Sequence, residues 1–135
     1  MSYDRRITIL YGVRLPQLSM EQWDDKLNEF LSTDFGLNSG IVGKCAEYNG
    51  IDRTEVNSEL LYEYLIDWKM LISCEFLDSD FLGEEILTID GDEASNWRDL
   101  REIREQTFDM GVIGQLVSTL FPLAAPMPYL INWVI

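Results

Sequence analysis

The chain contains no histidine. That removes the side chain most used as a general base, as the activator of a serine or cysteine nucleophile, and as a metal ligand. A histidine-based triad is therefore excluded within this chain. Cysteine is scarce too. Cys45 and Cys74 stand in unrelated contexts and form no CxxC pair. Two cysteines are too few for a disulfide scaffold, so the expectation is two reduced, buried thiols, with a single bridge left open. Positive charge is the third shortage: 10 Lys and Arg stand against 24 Asp and Glu, for a net charge of -14. An excess of this sign disfavours direct contact with nucleic-acid phosphate. Uninterrupted apolar stretches are also missing. The uncharged segment from Met110 to Ile135 is broken by Gly111, Gly114, Pro122, Pro126 and Pro128. A spanning helix needs about 20 fairly continuous apolar residues, so this segment reads as core or buried contact and no membrane association is expected. No signal peptide is apparent, because Arg14 interrupts the apolar run that follows Arg5 and Arg6. The expected location is cytoplasmic.

What the chain does have is 47% hydrophobic residues in a length of 135. That suits a single packed domain, residues 1–135, and argues against disorder. Ile7 to Leu15 has the β-branched and aromatic content of a central strand, ended by Pro16. Ser19 with Gln22 forms a capping-box signature, and Trp23, Leu27, Phe30 and Leu31 follow at helical spacing to a stop before Gly36. Phe35 to Gly43 reads as a glycine-rich connection in which Ile41-Val42 pairs briefly as a strand, and Tyr48-Asn49-Gly50 as a turn. Thr54 to Leu71 is expected to be a helix with Leu60, Leu61, Tyr64, Leu65 and Trp68 on its core face. Leu71 to Leu77 is ambiguous between helix end and strand. Leu82 to Ile89 reads as a strand and Ala94 to Met110 as a helix. Val112 to Phe121 reads as a short apolar helix and Tyr129 to Ile135 as a buried closing strand. This mixture predicts an α+β fold with a small β-sheet packed with three or four helices.

Charge is not spread evenly. Between Glu47 and Glu93 lie fourteen acids and two bases, Arg53 and Lys69. Glu55, Glu59, Glu63 and Asp67 recur every fourth residue, which on one helix gives a slowly winding stripe with about 6 Å of rise per step. Like charges at this spacing weaken an isolated helix by a few tenths of a kcal/mol each. From Met70 to Trp97 there are eight acids and no base, among them Asp78, Asp80, Glu84, Glu85, Asp90, Asp92 and Glu93. A charge run of this kind is often only a solvated face. Its functional counterpart is a surface that attracts cations, speeds encounter with a basic partner and rejects acidic ones. Proteins that handle nucleic acids present such basic surfaces.

Other signatures fail on particular residues. Asp78-Ser79-Asp80 with Gly83 lacks the oxygen ligands a calcium loop needs, since Leu82 and Ile89 hold those places. Asp90-Gly91-Asp92 fails likewise at Ala94 and Arg101. Asn38 to Cys45 resembles a phosphate loop with Gly43-Lys44 in place, but Asn38 replaces the first glycine and Cys45 the magnesium-binding hydroxyl. No metal or cofactor is implied. Arg98, Arg101 and Arg104 either pair with Asp99, Glu102 and Glu105 along one helix or clamp onto the acidic stretch. Trp23 and Trp68 are expected in the core; Trp97 and Trp133 are core or rim residues, and an exposed tryptophan beside the acids would anchor an interface.

The opening Ile9-Leu10-Tyr11-Gly12-Val13-Arg14-Leu15, running into a capped helix, together with the acidic composition, resembles small accessory proteins encoded by bacteriophages. The resemblance implies a host-directed role such as inhibition of a bacterial defence enzyme. Antirestriction and anti-CRISPR proteins that imitate nucleic acid are similar in charge and size, as are toxin-neutralising immunity proteins. No functional residue carries over from either group. The leading expectation is a non-enzymatic inhibitor that binds a basic, nucleic-acid-handling protein through Glu55, Glu59, Glu63, Asp67, Asp78, Asp80, Glu84, Glu85, Asp90, Asp92 and Glu93. The alternatives are an immunity protein, a module that self-associates into a homo-oligomer through 110–135, and, ranked last, a carboxylate enzyme.

Overall fold

The structure is a computed structural model that describes residues 5–74, 79–90, 111–124 and 127–134, with 5–9, 11, 74, 84–90, 111 and 127–134 described by their backbone. Within these the fold is α+β: a four-stranded sheet and five α-helices. The strands are β1 (Arg5–Pro16), β2 (Leu71–Cys74), β3 (Ser79–Asp90) and β4 (Met127–Val134). They lie in the order β2-β3-β1-β4, and each neighbouring pair is antiparallel. The β1 strand is central, as its two-sided apolar pattern predicts. Val13 and Leu15 join the core packed by the helices, while Leu10, at a position of the opposite face, is buried as well. The closing strand β4 forms, and it occupies a sheet edge beside β1.

The helices are α1 (Met20–Leu31), α2 (Asp34–Leu37), α3 (Gly40–Asn49), α4 (Ser58–Asp67) and α5 (Gly114–Leu120). The Ser19–Gln22 capping box is present: the Gln22 amide N–H donates to Ser19 Oγ and the Ser19 N–H donates to Gln22 Oε1 at 2.8 Å. Trp23, Leu27 and Phe30 are buried. With Ile41, Val42, Cys45, Leu61, Leu65, Leu71, Leu82, Ile113 and Leu116 they make one core. Each such large apolar side chain contributes roughly 1.5–3 kcal/mol by leaving water.

Three expectations are corrected. The Phe35–Gly43 connection and its Ile41-Val42 strand are absent; α2 and α3 stand there. Ile41, Val42, Cys45 and Ala46 form a buried stripe at helical spacing that the glycines disguised. The N-terminus of α3 also takes its partner from far along the chain, since the Gly40 N–H donates to Gln115 Oε1 of α5 at 3.0 Å. Gly43 lets the Arg53 guanidinium pack directly on α3, since a Cβ there would lie 2.4 Å from one of its nitrogens and displace it. That guanidinium in turn donates to the Ser39 carbonyl at 2.7 Å. Gly50 ends α3 in the left-handed region at φ 66°.

Second, the helix expected from Thr54 begins later. Arg53–Glu55 is a single 3-10 turn, Val56 is extended, and Asn57 caps α4 by accepting from the Leu60 N–H at 2.8 Å. An asparagine offering its own cap competes with helix continuation at this point. Third, Trp68 is not core. It is the residue just past the end of α4 and is 56% exposed. The ambiguous Leu71–Leu77 stretch opens as β2. The apolar helix expected from Val112 to Phe121 is a 3-10 turn, Gly111–Ile113, followed by α5. The helix expected over Ala94–Met110, with Arg98, Arg101, Arg104 and Trp97, lies outside the described residues. No described helix is long and apolar enough to cross a membrane.

Candidate functional site: the acidic crest of α4

Along α4, with about 100° of turn per residue, Leu61 and Leu65 face inward and Glu59, Glu63 and Asp67 lie outward, all three exposed. This is the acidic crest. Glu55 does not continue it. It sits in the 3-10 turn before α4, where its carboxylate accepts from the Asp52 N–H at 3.3 Å.

The strand acids are arranged differently. Asp80, half-buried, pairs in register with Leu15 and Ser73. Glu84 and Glu85 stand opposite Tyr11 and Leu10, consecutive positions that a pleated strand assigns to opposite faces. A bulge follows: Glu85 pairs with Leu10 and Leu87 with Ile9, which leaves Ile86 without a place in the register. Asp90 ends β3 opposite Arg6. Asp78, Asp92 and Glu93 lie outside the described residues. So the structure gathers Glu59, Glu63 and Asp67, sets Glu55 apart, and distributes the described β3 acids along the sheet.

Two features flank the crest that the sequence did not single out. On the α1 side, Met20, Glu21, Trp23, Asp24 and Leu27 face Ser58, Glu59, Tyr62 and Glu63 across an open groove of ≈ 500 Å³. The half-buried Tyr62 ring lines it, packed at 6.1 Å against the buried ring of Trp23 beneath. Four carboxylates stand around it, two from each helix. Asp24 is held in place, accepting from Ser58 Oγ and from Asn28 Nδ2. In sequence, Glu21 and Asp24 register only as acids that favour a helix N-terminus; their alignment with Glu59 and Glu63 required the packing of α1 on α4.

On the α3 side, the rings of Tyr48, Tyr64 and Trp68 pack mutually, with centroids 5.7 to 6.1 Å apart. Tyr64 is buried while Tyr48 is 54% exposed. Beneath them Cys45 is a free, buried thiol whose Sγ approaches the Leu60 carbonyl at 3.6 Å. Burial pushes this thiol above its ordinary 9.0, opposed by the amide donor of Asn49. Burial, and then the negative potential of Cys45 and Glu47, pushes the Tyr64 hydroxyl above its ordinary 10.0.

Three of the described bases have other partners. Lys26 lies over the Phe121 ring at 4.9 Å, Arg53 donates to the Ser39 and Leu37 carbonyls, and Arg14 donates to Ser79 Oγ at 3.0 Å. Among the described residues no ion pair engages Glu21, Glu59, Glu63 or Asp67. Nor, among them, do any three acidic or thiol side chains converge closely enough to hold a metal ion.

Comparison with protein-family models, with curated proteins and with solved structures finds no match to this chain.

Proposed function

We propose that this protein is a non-enzymatic inhibitor that docks on a basic surface of a nucleic-acid-handling protein, with the outer face of α4 at the centre of the contact. One observation carries the reading. An exposed aromatic pair, Trp68 and Tyr48, stands at the end of the helix that bears the outward acids Glu59, Glu63 and Asp67. Interfaces draw most of their energy from a few Trp, Tyr and Arg anchors, while charge steers approach and fixes orientation. Here the anchor and the steering field lie together.

The phage anti-defence role implied by the resemblance fits this arrangement as occupation of a nucleic-acid groove. Close imitation of a duplex is not required. The crest offers one carboxylate per about 6 Å of helix axis, against one phosphate charge per about 1.7 Å of DNA. Self-association through 110–135 draws less support, because Ile113, Leu116, Val117 and Leu120 are buried in this chain's own core.

The test is inhibition of a panel of basic nucleases, repeated from about 0.1 to about 1 M salt, over which the screening length falls from about 10 to about 3 Å. The expected result is inhibition of at least one member that weakens about tenfold or more with salt and is lost in E59Q/E63Q/D67N, but not in D80N/E84Q/E85Q. Binding that ignores salt, or that survives neutralisation of the crest, would overturn the proposal.

A further inference from the structure

We infer that the groove between α1 and α4 is an anchor pocket for an arginine side chain of the partner. This rests on the proposed docking of a basic protein and deepens it by naming what enters. The groove combines two properties that suit few ligands at once. Its wall is mostly carbon, with Met20 and the half-buried Tyr62 at the surface over the buried Trp23 and Leu27, and it is lined by acids from both helices, Glu21 and Asp24 of α1 and Glu59 and Glu63 of α4. An apolar side chain would meet the carbon but desolvate the carboxylates without pairing them. A small inorganic cation would meet the acids, yet no three carboxylates converge on a point among the described residues.

A long basic side chain satisfies both, with its methylenes against Met20 and the Tyr62 ring and its charge among the carboxylates. Arginine suits the site better than lysine. Its planar, weakly hydrated fork carries donors pointing in several directions, suited to acceptors from two helices, and stacks on an aromatic face, which the half-buried Tyr62 ring offers. The site is also prepared. Asp24 is oriented by Ser58 and Asn28, and no described base already pairs with these carboxylates. At ≈ 500 Å³ the groove has room for one such side chain together with parts of its neighbours on the partner.

The experiment titrates two blocked tripeptides, Gly-Arg-Gly and Gly-Lys-Gly, into the intact protein while recording amide and indole resonances. Saturable shifts at Trp23 Nε1–H and around Tyr62 are expected with the arginine peptide, at an affinity about fivefold or more above that of the lysine peptide. Tyr62→Leu should remove that preference. E59Q/E63Q, both on exposed positions that leave the core intact, should remove the binding of both peptides. Equal shifts from the two peptides, shifts mapping elsewhere, or none would overturn the pocket. Its failure is distinguishable from failure of the docking reading. A nuclease inhibited equally by the wild type and by Tyr62→Leu leaves docking standing without the pocket. Saturation by the arginine peptide, with no nuclease inhibited, does the reverse.

Discussion

At its N-terminal end α4 lies against α1 above Trp23, which is 1% exposed; at its C-terminal end it meets α3 and leaves Trp68 56% exposed. Both tryptophans continue an apolar helical stripe, and periodicity treats them alike. The difference lies in what stands opposite. Trp23 has α4 and the end of α5 beside it, its ring meeting Tyr62 and Phe121, and it belongs to the main core. Trp68 is one residue past the last turn, at φ −95° and ψ 13°, where the rings of Tyr48 and Tyr64 flank it and leave it exposed. A stripe shows which side of a helix is apolar. It does not show whether an element exists to cover that side.

Substitution at the two tryptophans should break the comparison most sharply. Trp23→Ala is expected to cost about 3–5 kcal/mol of stability in urea unfolding, by leaving a large core cavity. Trp68→Ala should change stability by about 1 kcal/mol or less and yet weaken binding to an inhibited nuclease by about tenfold or more. Equal losses of stability would show that both ends of α4 are core.

A smaller effect separates the ends of the helices themselves. Asn57→Ala removes the side-chain cap of α4 and should cost about 1 kcal/mol. Gly50→Ala, at φ 66° in otherwise open space, should cost about 1–2 kcal/mol through backbone strain alone. Thermal or urea melts measure both, and their sum in the double variant tests whether the two ends act independently.

The smallest expected effect is on pH. Cys45 and Tyr64 both have their protonated forms favoured in the folded state, so the stability they contribute is fully present below pH 9.0. It should decline as pH rises through those ordinary values towards the raised folded ones, because the unfolded chain releases these protons first. Unfolding midpoints measured from about pH 8 to about pH 10.5 should fall, and Cys45→Ala with Tyr64→Phe should flatten that slope. An unchanged slope in the double variant would place the pH sensitivity away from the α3–α4 end.

Much of this was legible in the chain wherever the signal was local. The Ser19–Gln22 box starts α1, Pro16 ends β1, and the Trp23, Leu27, Phe30 stripe faces inward, each for reasons contained within a few residues. The α3 helix was not legible, because Gly36, Gly40 and Gly43 imitate a loop and its N-terminal donor is satisfied by Gln115, 75 residues away. The site was legible in part. Glu59, Glu63 and Asp67 were found by their spacing, whereas Glu21 and Asp24 were hidden on another helix.

By itself the sequence determined the sign and concentration of charge, the absence of histidine chemistry, the central strand and the outward set of α4 acids. Each follows from composition or from a period the backbone imposes over neighbouring residues. Only the tertiary structure decided that α1 brings two more carboxylates to the crest, that Trp68 stays in solvent, and that the β3 acids pass along a bulged strand. These depend on which elements meet and at what register, set by the mutual burial of apolar faces far apart in the chain.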